Sequence, residues 1–371
     1  MSYSHQTATA STHTAELSLD LHDFDDVCED VKRHFRTREK KNGRVEIKDL
    51  EKNGIQVTLI PTVFGGKAYV RINLQKIISE TYQADEIIDP TDDNMEHVKQ
   101  VIERNLKSIG LPNKVRGYED EQVHLCVNIT EKGNNNYARE YIRLRSKSPT
   151  PQGGTRSIFY DSRRSEKENK QCNKDYLRFD FWWGALVLYD KKRQSMRERL
   201  VGCGKVPKGA LRYELQLNRK GIRAYKDKSG LSGWALICWL SQNSGDLIYE
   251  KLNELYYSGY YLKKQALHRI IEDSDYNKAV RKQMIEYVKL AKKFGENIAA
   301  EKTMRKRKWS QSEFNRFRRR FERIGIQPVP LRKNYHDDWL ETPEESLLRL
   351  LPMERNFEDG FFVLRARKLP L

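Results

Sequence analysis

The 371 residues carry 69 lysines and arginines against 52 aspartates and glutamates, a formal charge of +17, and a field of that sign draws a polyanion, with nucleic acid or an anionic membrane as the obvious partners. No stretch approaches the roughly 20 apolar residues that span a bilayer, and the N-terminal MSYSHQTATASTHTAELSLD lacks a basic start and an apolar core, so the expectation is a soluble cytoplasmic protein without a membrane partner. Cys28, Cys126, Cys172, Cys203 and Cys238 are widely spread and form no CxxC pair, which excludes a disulfide framework and a zinc finger.

Residues 1–20, rich in Ser, Thr, Ala and His, read as a flexible tail. β-Branched and aromatic residues on either side of Gly65 and Gly66 predict a strand pair at 55–60 and 68–73. Met95, Val98, Ile102 and Leu106 recur at helical spacing over 93–108, with an Asp93/Glu96 capping box and Gly110 as a stop. Three further strands are expected at 123–129, 179–190 and 211–217. Beyond about Asp246 the spacing becomes helical, apart from a short strand-like run at 361–364. The expected division is a tail over 1–20, a catalytic domain over 21–245 and a mainly helical accessory domain over 246–371. The fold class is α+β, a mainly antiparallel sheet packed with helices and followed by a helical C-terminal domain.

Strand side chains alternate between faces, so LRYELQL places Arg212, Glu214 and Gln216 opposite Tyr213, Leu215 and Leu217. QVHLCVNI likewise gathers Gln122, His124, Cys126 and Asn128 on one side, and in LVLYDKK Tyr189 and Lys191 share a face. If these strands are neighbours with polar faces aligned, a carboxylate, an imidazole, a phenol and an ammonium converge. That set suits phosphodiester cleavage: a tyrosine nucleophile keeps the phosphate covalently, so the strand can be rejoined. Tyr189 is the first choice, with Tyr160, Tyr213 and Tyr225 as alternatives, and Tyr189, Lys191 and Arg212 form the candidate catalytic set. A phenol with a pKa of about 10 needs a cation or metal beside it to favour phenolate, and Lys191 supplies part of that field. A hard Mg²⁺ or Mn²⁺ ion would polarise the phosphate, with Glu214, His124 and Asn128 as candidate ligands. Taken singly, each feature also has an ordinary structural reading: a hydrogen-bonded histidine, an aromatic rim, a cross-strand salt bridge.

The order QVHLCVNI, LYDKK, LRYELQL, with GGTRSIFYDSRRS before the tyrosine and FERIGIQPVP far downstream, resembles the phage and plasmid replication initiators typified by the gene II protein of filamentous phages. The resemblance covers roughly residues 55–340. Gln122 and His124 stand where that family has Arg and Asp, and no HxH pair occurs. The resemblance implies nicking of one strand of origin DNA in a circular duplex through a 5′-phosphotyrosyl link. A 3′-hydroxyl is left for the polymerase and helicase of a bacterial host, and the displaced single strand is then rejoined.

The densest cationic run is KTMRKRKWSQSEFNRFRRRFER. Ser310 and Glu313 predict a capping box, Phe314, Phe317, Phe321 and Ile324 fall on one helical stripe, and Gly325 is the stop. The stripe is expected to pack inward. Arg305, Lys306, Arg307, Lys308, Arg316, Arg318, Arg319 and Arg320 are the candidate DNA contacts, each neutralised phosphate releasing counterions. Two other functions fit the composition: a non-enzymatic DNA-binding protein whose sheet only grips DNA, and an RNA-binding regulator.

Overall fold

Segments in which every second residue is apolar can bury one face of a sheet and leave the other polar, and several such segments fill the first two thirds of the chain. The computed structural model describes residues 6–79, 86–131, 133–162, 164–200, 202–256 and 259–350. It is an α+β fold in which a ten-stranded sheet, every neighbouring pair antiparallel, is followed by a mainly helical C-terminal region. Two compact units divide the chain, one of residues 1–132 and 153–248, the other of residues 133–152 and 249–371. The second unit thus claims an internal segment that lies within the expected catalytic domain. The strand expected at 361–364 lies outside the described residues.

The first unit begins β1 (Gln6–Leu21), α1 (Phe24–His34), β2 (Thr37–Glu39), β3 (Val45–Ile47), β4 (Ile55–Thr62), β5 (Gly65–Asn73), α2 (Leu74–Ile78), α3 (Asp92–Ser108) and β6 (Glu119–Glu131). After α4 (Tyr137–Lys147), a helix of the second unit, it resumes with β7 (Thr155–Ser157), α5 (Glu166–Cys172), β8 (Tyr176–Phe181), β9 (Gly184–Asp190), α6 (Lys191–Arg197), β10 (Leu211–Asn218), α7 (Arg219–Ser229) and α8 (Gly233–Gln242). The strand order is β2-β3-β4-β5-β1-β6-β10-β9-β8-β7.

Four expectations are corrected. Residues 6–21 are not a flexible tail but β1, a central strand paired with β5 on one side and β6 on the other. Helix α3 is capped by Thr91, whose hydroxyl accepts from the Asn94 amide, rather than by Asp93. The expected strand at 179–190 is a hairpin, β8 and β9, that turns at Trp182 and Trp183. Gly184, at φ +146, permits the turn, since a Cβ there would lie 1.9 Å from the Gln216 carbonyl oxygen. Lastly, Lys191 leaves the strand and opens α6, whose N-cap Asp190 accepts from the Arg193 amide.

The apolar sheet face carries Val123, Leu125, Val127 and Ile129 of β6 and Tyr213, Leu215 and Leu217 of β10, all buried. Leu236, Ile237 and Leu240 of α8 are fully buried too, and α8 packs on β1 and β6. Each such side chain contributes on the order of 1.5–3 kcal/mol. The face opposite holds the candidate site.

The second unit contains α4, the end of α9 (Ser244–Leu255), β11 (Tyr260–Leu262), α10 (Lys264–Glu272), α11 (Lys278–Phe294), α12 (Glu296–Arg307), α13 (Gln311–Arg323), β12 (Trp339–Glu341) and α14 (Pro343–Leu350). Its centre is aromatic: Phe314, Phe317 and Phe321 surround Tyr287 with ring centroids 5.7, 5.5 and 5.7 Å away. The Ser310/Glu313 capping box forms as expected, and Gly325 follows at φ +69. Among the described residues no helix is long and apolar enough to cross a membrane.

Candidate active site

Register brings the expected residues together. Across β10 and β6, Gln216 faces His124, Glu214 faces Cys126 and Arg212 faces Asn128; across β10 and β9, Arg212 faces Tyr189. Directly opposed residues project to the same side of a sheet, so these side chains share one face. It is closed: Arg212 is 0% exposed, Glu214 6% and Tyr189 7%.

Buried polar groups need partners, and here they find them in one another. The Tyr189 hydroxyl donates to Glu214 Oε1, and Gln216 Nε2 donates to Glu214 Oε2 at 2.8 Å. Arg212 Nε donates to Asn128 Oδ1 at 2.6 Å, and the same guanidinium engages the Tyr189 hydroxyl. Arg178 reaches Gln216 Oε1 at 2.8 Å and Asp180 at 2.7 Å. The Tyr176 ring stacks on Tyr189 with centroids 6.5 Å apart.

These contacts set the charge states. Burial opposes ionisation of Glu214, yet His124, His13, Arg212 and the phenol donor together hold its carboxyl at about 2. Burial and then Glu214 push the Tyr189 phenol well above its usual range, so it is protonated and donating. Burial drives the Lys191 ammonium down to about 7, assisted by the like charge of Arg212. Its Nζ bonds Gln194 Oε1 at 3.0 Å and lies 5.7 Å from the Tyr189 ring centroid. Burial lowers His124 to about 4 and raises the Cys126 thiol to about 12, leaving both neutral near pH 7.

One participant escaped the sequence reading. The β1–β6 pairing shifts register between Thr12 and Thr14, so His13 is the extra residue of a bulge. Bulges re-aim side chains, and this one brings His13 within electrostatic reach of Arg212, Glu214, Lys191 and His124. Its Nδ1 bonds Thr14 Oγ1 at 2.8 Å, while its Nε2 is sealed from solvent without a partner. Burial first, then Arg212, lowers its pKa well below the usual value. A histidine flanked by threonines near a terminus carries no periodic signal.

Two of the three expected metal ligands already serve protein donors, and the third, His124, has its Nε2 3.4 Å from Gln122 Oε1. Asn128 Oδ1 is taken by Arg212, and both Glu214 oxygens accept from protein donors. Among the described residues, no three His, Cys, Asp or Glu side chains group so as to hold a cation. The alternative tyrosines lie elsewhere: Tyr213 on the apolar face, Tyr160 77% exposed in the loop after β7, and Tyr225 on α7 against Trp239.

The candidate DNA contacts divide into two kinds. Arg305, Lys308, Arg316 and Arg319 are exposed at the end of α12 and along α13. The others are engaged: Lys306 and Arg307 pair with Glu286 at 3.4 and 3.2 Å, Arg318 turns inward to within 3.8 Å of the buried Glu296, and Arg320 lies over the Tyr276 and Phe317 rings. Arg318 is therefore not part of the solvated back of the helix.

No protein-family model and no curated protein matches this chain.

Proposed function

We propose that the protein nicks and rejoins one strand of DNA through Tyr189, as a rolling-circle replication initiator would. The observation that carries this reading is the Tyr189 hydroxyl held between an ionised carboxylate, Glu214, and a permanently charged guanidinium, Arg212. A phenol so placed has a proton acceptor in Glu214, while the Arg212 charge works against the rise in its pKa that burial and Glu214 cause.

In the proposed step, Glu214 takes the phenolic proton as the Tyr189 oxygen attacks phosphorus. The new Tyr189 O–P bond forms, the P–O3′ bond breaks, and the departing 3′-oxygen takes a proton from Lys191. With its pKa near 7, Lys191 is able to give that proton and regain it for the reverse step. Arg212 stabilises the extra charge on the phosphoryl oxygens. The scheme is written with protein groups alone, since Asn128 Oδ1 and both Glu214 oxygens already accept protein hydrogen bonds. Duplex origin DNA, a displaced strand and a host polymerase and helicase are the partners this activity implies.

A second reading, a non-enzymatic DNA-binding protein, is favoured by the closure of the site: at 7% exposure Tyr189 meets a phosphate only after the face opens. The two part on one experiment. Supercoiled DNA bearing the protein's own origin is incubated with wild-type and Tyr189→Phe protein. Relaxation with a covalent DNA–protein band, lost in the variant, is the expected result; tight binding with no adduct from either protein selects the second reading.

A further inference from the structure

A wide cleft in the first unit has none of the Tyr189-face residues in its lining. It encloses about 1000 Å³ between α3, the turn at 115–117, and the α7–α8 pair. Arg116, Lys220, Arg223 and Lys226 line it, are exposed, and make no ion pair among the described residues. The acids on its wall are engaged: Glu119 with Arg219 and Lys67, Glu103 with Lys114, and Asp120 by a hydrogen bond from the Gly233 amide. A surplus of cations without ion pairs along a concave wall focuses positive potential and draws anions from solution.

The cations are ordered, not scattered. Lys220, Arg223 and Lys226 follow one another at three-residue spacings along α7. They cover about 9 Å of helix axis, enough to meet more than one phosphate of an extended strand.

A second observation points to bases as well as phosphates. Asn218 caps α7 by accepting from the Lys220 and Gly221 amides, and its Nδ2 donates to the Trp182 carbonyl at 3.1 Å. That bond ties the β8–β9 turn to the first turn of the basic helix. The Trp182 ring is 66% exposed at this turn, while Phe181 and Trp183 beside it stack at 4.6 Å. An indole left in solvent on a turn bonded to the cap of the basic helix is a stacking platform for an unpaired base. A regular duplex, whose bases are already stacked, has no use for it.

We infer that this cleft binds single-stranded DNA, with the phosphates along α7 and an unpaired base on Trp182. The inference deepens the nicking reading by giving the displaced strand a path, and it rests on that reading only for which strand is held.

The test measures binding, not cleavage, and is run in full-length Tyr189→Phe protein so that no adduct can form. Labelled deoxythymidine 20-mer, a matched duplex and a uridine 20-mer are titrated by fluorescence anisotropy at several salt concentrations. The paired change Arg223→Glu with Lys226→Glu is expected to weaken deoxythymidine binding at least tenfold. It should also flatten the logarithmic salt slope by about 1.4, from about 0.7 per phosphate contact. Trp182→Ala should weaken single-strand binding by about five- to a hundredfold and leave duplex binding unchanged. Unchanged affinity in the doubly charge-reversed protein, with its circular dichroism intact, overturns the inference. So does an equal loss of duplex and single-strand binding in Trp182→Ala, uridine binding tenfold tighter than deoxythymidine, or binding of polyglutamate in place of all three. Failure to nick in wild-type protein counts against the catalytic reading and leaves this result standing.

Discussion

Replacing Lys191 by methionine should make the protein more stable at pH 7. Lys191 is 2% exposed, and its pKa falls from 10.5 to about 7 on folding, chiefly through burial. Between those values the unfolded chain holds a proton that the folded one does not, so stability rises with pH across the window and is lost as pH falls from 10.5 toward 7. A difference of 3.5 pKa units (10.5 to about 7) corresponds to about 4 kcal/mol still missing at pH 7. Methionine fills the same space without charge. After the lost bond to Gln194 is deducted, at about 1 kcal/mol, a gain of about 2–3 kcal/mol remains. The assay is urea unfolding of both proteins at pH 6, 7, 8 and 9. Wild-type stability should climb by up to about 1.4 kcal/mol per pH unit above 7, with that increment absent in Lys191→Met. A variant less stable than wild type at pH 7, or one with the same pH slope, refutes the assignment of a strained, buried lysine.

Tyr189→Phe should destabilise the first unit by about 1–3 kcal/mol in denaturant titration, since Glu214 stays ionised with one donor fewer. Glu296, 1% exposed, is raised to about 7 by burial despite Arg318 and Arg145. Its contribution is therefore fully present below about pH 4.5 and lost as pH rises through 7, and Glu296→Gln should flatten that fall in the unfolding of the second unit between pH 5 and 8. Phe317→Ala, which opens a cavity against Tyr287, Trp309 and Phe321, should cost about 3–5 kcal/mol by thermal or urea unfolding.

Where the sequence carries a clean period, the structure follows it: β4 and β5, the polar and apolar faces of β6 and β10, and the phenylalanine stripe of α13 all lie where alternation or helical spacing puts them. The failures share a cause, which is that local pattern does not encode pairing. In β1 the alternation Ala15, Leu17, Leu19, Leu21 is present, but Thr, Ala and Ser before it dilute the apolar signal; two flanking strands, not propensity, make it a strand. The β8–β9 turn hides because Trp182 and Trp183 read as strand formers, and only Gly184 betrays it. His13 is visible only once the bulge is seen. The assignment of 133–152 to the second unit rests on partners far along the chain, such as Asn134 with Tyr335 and Tyr141 with the Glu341 carbonyl.

The burial of the site and the chemistry proposed for it are linked through charge. In the closed state Arg212 is charged, Glu214 is charged, and Lys191 is half-protonated near pH 7, so the site holds more positive than negative charge away from water. Such an excess is destabilising by itself. A phosphodiester brings a single negative charge, which is the complement the site lacks. Its arrival beside Lys191 must raise the ammonium pKa back toward the ordinary range, so binding and protonation are coupled. The proton needed by the leaving 3′-oxygen is then loaded by the substrate. Calorimetry at pH 8, comparing buffers of different ionisation enthalpy, should show uptake approaching one proton per bound strand in wild type and none in Lys191→Met. Equal uptake in the two proteins would remove Lys191 from the acid role and leave it a structural cation.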